Sequence, residues 1–101
     1  MTALAIDIPY EAIRVFCEQH HIRKLMLFGS VLREDFGPDS DIDVLVEFEE
    51  NTHPDLFDLG AVLMGLRELL ARDIDLGTPN MLSPYIKDRV MMQAAVIYER
   101  S

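Results

Sequence analysis

The stretch that most constrains this chain is residues 41–48, Asp41-Ile42-Asp43-Val44-Leu45-Val46-Glu47-Phe48, where acids alternate with β-branched and apolar residues. Side chains alternate across a strand, so Ile42, Val44, Val46 and Phe48 share one face and Asp41 and Asp43 share the other. The fold must therefore cover one side of this strand and leave two neighbouring carboxylates on the opposite side.

The flanking segments supply the cover. Ile13, Phe16, Cys17 and His20 follow helical spacing and predict an amphipathic helix over residues 9–21, with Pro9 in its first turn. Lys24-Leu25-Met26-Leu27-Phe28 is a short apolar run stopped by Gly29, the pattern of a buried strand. A short helix is expected from Ser30 to Glu34, and turn chemistry follows at residues 36–40. Leu56, Leu59, Leu63, Leu66 and Leu70 mark the stripe of a long helix that tolerates Gly65 at a cost of about 1 kcal/mol. Asp73-Ile74-Asp75-Leu76 reads as a third strand, ended by Gly77 and Pro79. Ser83 as cap and Pro84 as first helical residue open a last helix, expected to run to about Ala94, ahead of Val96-Ile97-Tyr98. The order predicts an α/β domain of the α+β type, a small mixed β-sheet flanked by helices.

With 101 residues, the chain has room for one core and is expected to form a single domain over residues 1–101. Nine basic residues against eighteen acidic ones give a formal charge of −9, which disfavours direct binding of nucleic acid. Cys17 is the only cysteine, so no internal disulfide forms, and a reducing cytoplasm is the expected compartment. No basic leader opens the sequence and no run of ~18 apolar residues interrupts it, so neither a signal peptide nor a membrane span is expected. Cys17 and Met64, Met81, Met91 and Met92 read as core filler, with an adaptable partner surface as the alternative for the methionines. His20, His21 and His53 carry no required metal role.

Three features in order carry chemistry: Gly29-Ser30 after a strand, Asp41-x-Asp43 opening the next, and Asp73 and Asp75 on a later one. Two residues apart on a strand, the α-carbons of Asp41 and Asp43 lie roughly 6.6 Å apart. The metal ions of phosphoryl-transfer sites sit about 3.5–4 Å apart, so this carboxylate pair suits two Mg²⁺ ions completed by water and phosphate. Two adjacent negative charges repel unless a cation compensates them. Asp75, or alternatively Asp73, completes a triad; Asp73 stands beside Arg72 and has that pairing open to it. Gly29 lets a phosphate approach the backbone, and Ser30 offers a hydroxyl and amide donors. Arg33 either reaches the same phosphates or pairs with Glu34, Asp35 or Asp39.

Gly29-Ser30, ten residues, then Asp41-x-Asp43 resembles the signature of the DNA polymerase β-like nucleotidyltransferase superfamily. Residues 28–33 and 40–48 resemble in particular the minimal nucleotidyltransferase (MNT) family, whose members pair with HEPN-domain proteins. The likeness runs from about residue 22 to the C-terminus, with a core over residues 22–98 that takes in Ile74-Asp75-Leu76 and Ser83-Pro84-Tyr85-Ile86. It departs from the family at Leu32, where a small residue is common, and at Glu34-Asp35, where a glycine-containing turn is usual.

The resemblance implies a polymerase β-like nucleotidyltransferase fold. It implies phosphate binding at Gly29 and Ser30, Mg²⁺ at Asp41 and Asp43, and a third acid at Asp75 that assists the metal or takes the acceptor proton. It also implies transfer of AMP from ATP to a hydroxyl, a tyrosine, of a HEPN ribonuclease toxin, which would make the chain an antitoxin. An antitoxin that only masks its toxin and a nucleotidyltransferase for a small hydroxyl compound such as an aminoglycoside stay open as alternatives. The negative charge suits a basic partner.

Overall fold

A computed structural model of the protein describes residues 6–32, 37 and 39–100. Four strands form one mixed sheet in the order β3-β2-β1-β4, with β1 at Ile22–Phe28, β2 at Ile42–Phe48, β3 at Ile74–Gly77 and β4 at Ala95–Glu99. β1 runs antiparallel to both β2 and β4, whereas β2 and β3 run parallel. Helices α1 (Tyr10–Gln19), α2 (Leu56–Leu70) and α3 (Pro84–Gln93) and two short 3₁₀ turns, Gly29–Leu32 and Pro79–Met81, complete the described chain. None of these helices is long and apolar enough to cross a membrane.

The apolar face of β2 is the one expected: Ile42, Val44 and Val46 are fully buried and join Leu25 and Leu27 of β1 in the core. α1 covers that core with Ile13, Phe16 and Cys17, and α2 with Val62, Leu66 and Leu70. Each aliphatic side chain fully withdrawn from water contributes about 1.5–3 kcal/mol, enough to hold both helices on the sheet. Phe16 also meets the ring of His20, with centroids 4.4 Å apart. α2 opens with a reciprocal cap, in which the Asp58 amide donates to Asp55 Oδ1 at 2.8 Å and the Asp55 amide donates to Asp58 Oδ2 at 3.0 Å. It closes at Ala71, whose left-handed φ of 55° turns the chain toward β3.

Three expectations change. The run Val96-Ile97-Tyr98 lies within a fourth strand, because β4 finds hydrogen-bonding partners on the open edge of β1, a pairing between distant segments. The short helix expected from Ser30 begins as the 3₁₀ turn Gly29–Leu32, opened by the left-handed Gly29 (φ 76°), and its continuation to Glu34 lies outside the described residues. The α2 stripe is Val62, Leu66 and Leu70; Leu56 is 84% exposed because it belongs to the first turn, at the capped end of the helix. Met64, Met81 and Met92 are exposed, and the fully buried methionine among the described residues is Met26, paired across β1 and β2 with the equally buried Leu45. Alternation places Met26 and Leu45 on the sheet face away from α1 and α2, so that face is not purely acidic. The Pro79–Met81 turn packs against β2, and Pro79 is buried.

Candidate active site

The site lies at one end of β2 on the face opposite the α1 and α2 layer. Asp43 is the second residue of β2, stands opposite Phe28 of β1, and is in direct register with Asp75 of β3. Neighbouring strands are about 4.8 Å apart, and residues in register project to the same face. Asp43 and Asp75 are therefore side by side on adjacent strands, as the alternation of each strand separately requires. Asp75 is exposed, and Asp43 is half-buried.

Gly29 ends β1 beside this pair. A β-carbon at Gly29 would overlap Asp43 Oδ2 and come within 3.1 Å of Asp43 Cγ. The glycine bend and the acid pair thus lie on the same side of the sheet. Val31 of the same turn is fully buried and pins the bend to the core. Ser30 is the second residue of the turn; its hydroxyl and the whole of Arg33 lie outside the described residues.

Asp41 sits one residue ahead of β2 and is exposed. The backbone on either side of it is fixed from the α2–β3 connection. Arg72 donates from Nη2 to the carbonyl oxygens of Gly37 and Ser40, the latter at 3.0 Å, and the Ile42 amide donates to the Asp73 carbonyl at 2.9 Å. In the sequence Arg72 stands out only as a candidate partner for its neighbour Asp73. No residue pattern signals the observed role, because the groups it grips are backbone carbonyls. Asp73 instead pairs with Arg67 at 3.2 Å on an exposed surface, where an ion pair contributes little. Glu47, two residues past Leu45 on the acidic face, pairs with Arg23 at 2.8 Å.

The donor set offers hard carboxylate oxygens at an accessible strand end, which fits Mg²⁺, an ion that takes few protein ligands and fills its shell from water and phosphate. Among the described residues no three His, Cys, Asp or Glu side chains are gathered as a ready cage. The arrangement is thus an open one, an in-register acid pair with a third acid at the mouth of β2, suited to a cation that arrives with its phosphates. A groove of about 520 Å³ lies beside the approach to Asp41, lined in part by Asp39, Ser40, Met64, Arg67, Arg72 and Asp73. Its lining includes none of Gly29, Asp41, Asp43 or Asp75.

Known proteins share this arrangement of strands. Residues 11–101 match the family model described as polymerase beta nucleotidyltransferase. A chain from Methanocaldococcus jannaschii named "Putative protein adenylyltransferase" is 37% identical over 76 residues, covering 75% of this chain and 80% of its own. A solved structure described as a "putative minimal nucleotidyltransferase" superposes with a TM-score of 0.70 at 33% identity, over 84% of this chain and 85% of that one. A chain from the complex of a tri-AMPylated Shewanella oneidensis HEPN toxin with an MNT antitoxin shares the fold at 20% identity, with a TM-score of 0.62 over 90% of this chain and 70% of that one. With the family model spanning nearly all of the sequence and close relatives matching over most of their length, the chain belongs to the polymerase β-type nucleotidyltransferases, in their minimal (MNT) branch.

Proposed function

We propose that this protein is a Mg²⁺-dependent adenylyltransferase that moves AMP from ATP onto a hydroxyl, a tyrosine, of a HEPN-type toxin and so neutralises it. The observation that carries this reading is the register of Asp43 with Asp75 beside the Gly29 bend. The name of the M. jannaschii relative and the HEPN–MNT complex that shares the fold support the choice of reaction and partner.

Asp41 and Asp43 would hold the metal. Bound there, Mg²⁺ neutralises the triphosphate and stabilises charge developing at the α-phosphorus. Gly29, without a side chain, admits the phosphates close to the backbone. Asp75 orients the acceptor hydroxyl and takes up its proton as the acceptor oxygen bonds to the α-phosphorus. The bond between the α- and β-phosphates breaks and pyrophosphate leaves. The net charge of −9 favours encounter with a basic, RNA-cutting partner.

The test incubates the co-purified partner with this protein, ATP and Mg²⁺ and follows the partner's intact mass and ribonuclease activity. The reading predicts added AMP on a tyrosine and lost ribonuclease activity that persists after the antitoxin is removed. Inhibition without a mass change would replace it with masking by binding alone.

A further inference from the structure

Arg72 stands where α2 hands over to β3, immediately after the left-handed Ala71 and three residues ahead of Asp75. Its half-buried guanidinium reaches across to the segment that leads into β2 and donates to the carbonyls of both Gly37 and Ser40. That segment is tightened further by its own bonds. The Ser40 amide donates to the Gly37 carbonyl at 3.1 Å, and the Gly37 amide donates to Ser40 Oγ at 3.1 Å. Two residues after Ser40 the Ile42 amide bonds to the carbonyl of Asp73, Arg72's neighbour. Asp41 is the residue between these two anchors.

We infer that Arg72 is a positioning residue, holding Asp41 in a fixed relation to the in-register pair Asp43 and Asp75. The inference rests on the reading of Asp41 and Asp43 as the metal-holding pair. It adds that Asp41, which lies outside the strand, owes its place to a side chain from the β3 side. Both bonds leave one nitrogen, Nη2, whose two hydrogens are fixed in direction by the planar guanidinium, whereas the three donors of a lysine ammonium rotate at the end of a flexible stem. Arg72 touches neither substrate nor metal in this scheme. Its effect passes through the Gly37 and Ser40 carbonyls to the Asp41 backbone.

The experiment measures Mn²⁺ half-saturation by electron paramagnetic resonance at constant α,β-methylene-ATP, which blocks turnover, for the wild type, Arg72→Ala, Arg72→Lys and Asp43→Asn. Thermal melting without metal is recorded alongside. Loss of a residue that orients a ligand weakens metal binding by about 10–100-fold. The expected result is a rise of about tenfold or more for Arg72→Ala, a smaller rise for Arg72→Lys, and an unchanged melting midpoint for Arg72→Lys. Should Arg72→Ala fail to fold, Arg72→Gln takes its place in the comparison. Wild-type half-saturation in the alanine or glutamine variant overturns the inference, as does equal weakening in the lysine variant accompanied by a lowered midpoint. Asp43→Asn keeps the two failures apart: if that variant binds Mn²⁺ as the wild type does, the metal-site reading itself falls, and the role of Arg72 falls with it.

Discussion

The carboxylate of Asp43 fills the space that a side chain at Gly29 would need, with Asp43 Cγ only 3.1 Å from where that β-carbon would stand. Gly29 also has a left-handed φ of 76°, a conformation that costs L-residues about 1–2 kcal/mol. Sequence and site therefore constrain one another here: the bend needs glycine for its backbone, and the acid needs glycine for its room.

Gly29→Ala is expected to lower stability by about 1–2 kcal/mol and to swing the Asp43 carboxylate away from the bend. Urea unfolding reads the first effect. AMP transfer reads the second, with a loss of tenfold or more expected, larger than the modest destabilisation explains.

Gly65 is a second position where the missing side chain matters. A β-carbon there would come within 2.8 Å of Phe16 Cζ, so α1 and α2 cross closely at this point. Helix propensity alone favours Gly65→Ala by about 1 kcal/mol. Overpacking a buried aromatic contact costs about 1–3 kcal/mol. The account predicts a net loss of about 1 kcal/mol, measured by thermal or urea unfolding; a gain in stability would show that the Phe16 ring moves aside freely.

These glycines mark how far the sequence could be read. The strand of residues 41–48, the two flanking strands and the three helices follow from local alternation and helical spacing, and so does the acidic face on which Asp43 and Asp75 lie. The register between Asp43 and Asp75 is a property of two strands separated by α2, and a sequence offers only the expectation that they are neighbours. β4 is hidden for the same reason, since Val96-Ile97-Tyr98 becomes a strand through the edge of β1. The anchoring role of Arg72 is not legible in the sequence, because it grips the carbonyls of Gly37 and Ser40, groups that every residue carries. Leucine spacing alone puts Leu56 in the core, whereas the reciprocal cap of Asp55 and Asp58 places it in the exposed first turn.

That cap gives a third prediction. Asp55→Ala removes the acceptor for the Asp58 amide, and a lost N-cap costs about 1 kcal/mol. The effect should appear in the unfolding free energy with AMP transfer unchanged, since the α2 start contributes nothing to the Gly29–Asp43 site.

Cys17 gives a pH dependence whose sign is fixed by burial. Withdrawal from water, with a smaller contribution from Glu18, pushes its thiol from an ordinary 9.0 up to about 12. The folded chain keeps this proton where the unfolded chain releases it, so the contribution is fully present below pH 9 and is lost as pH rises toward 12. At most this steepens the fall in stability by about 1.4 kcal/mol per pH unit. Comparing urea unfolding of the wild type and Cys17→Ala between pH 8.5 and 10.5 should show a flatter fall in the variant, and the native thiol should react with alkylating reagents only as fast as the protein opens.

The most direct test of the account compares transfer of labelled AMP from ATP to the co-purified partner by the wild type, Asp41→Asn and Asp43→Asn. These substitutions remove charge at the mouth of β2 and leave Ile42, Val44 and Val46 in place. The prediction is that melting temperatures stay within a few degrees of the wild type, about the shift of 1 kcal/mol or less, while transfer falls by a hundredfold or more. Label reaching the partner at the wild-type rate in either variant would contradict the assignment of these carboxylates to catalysis.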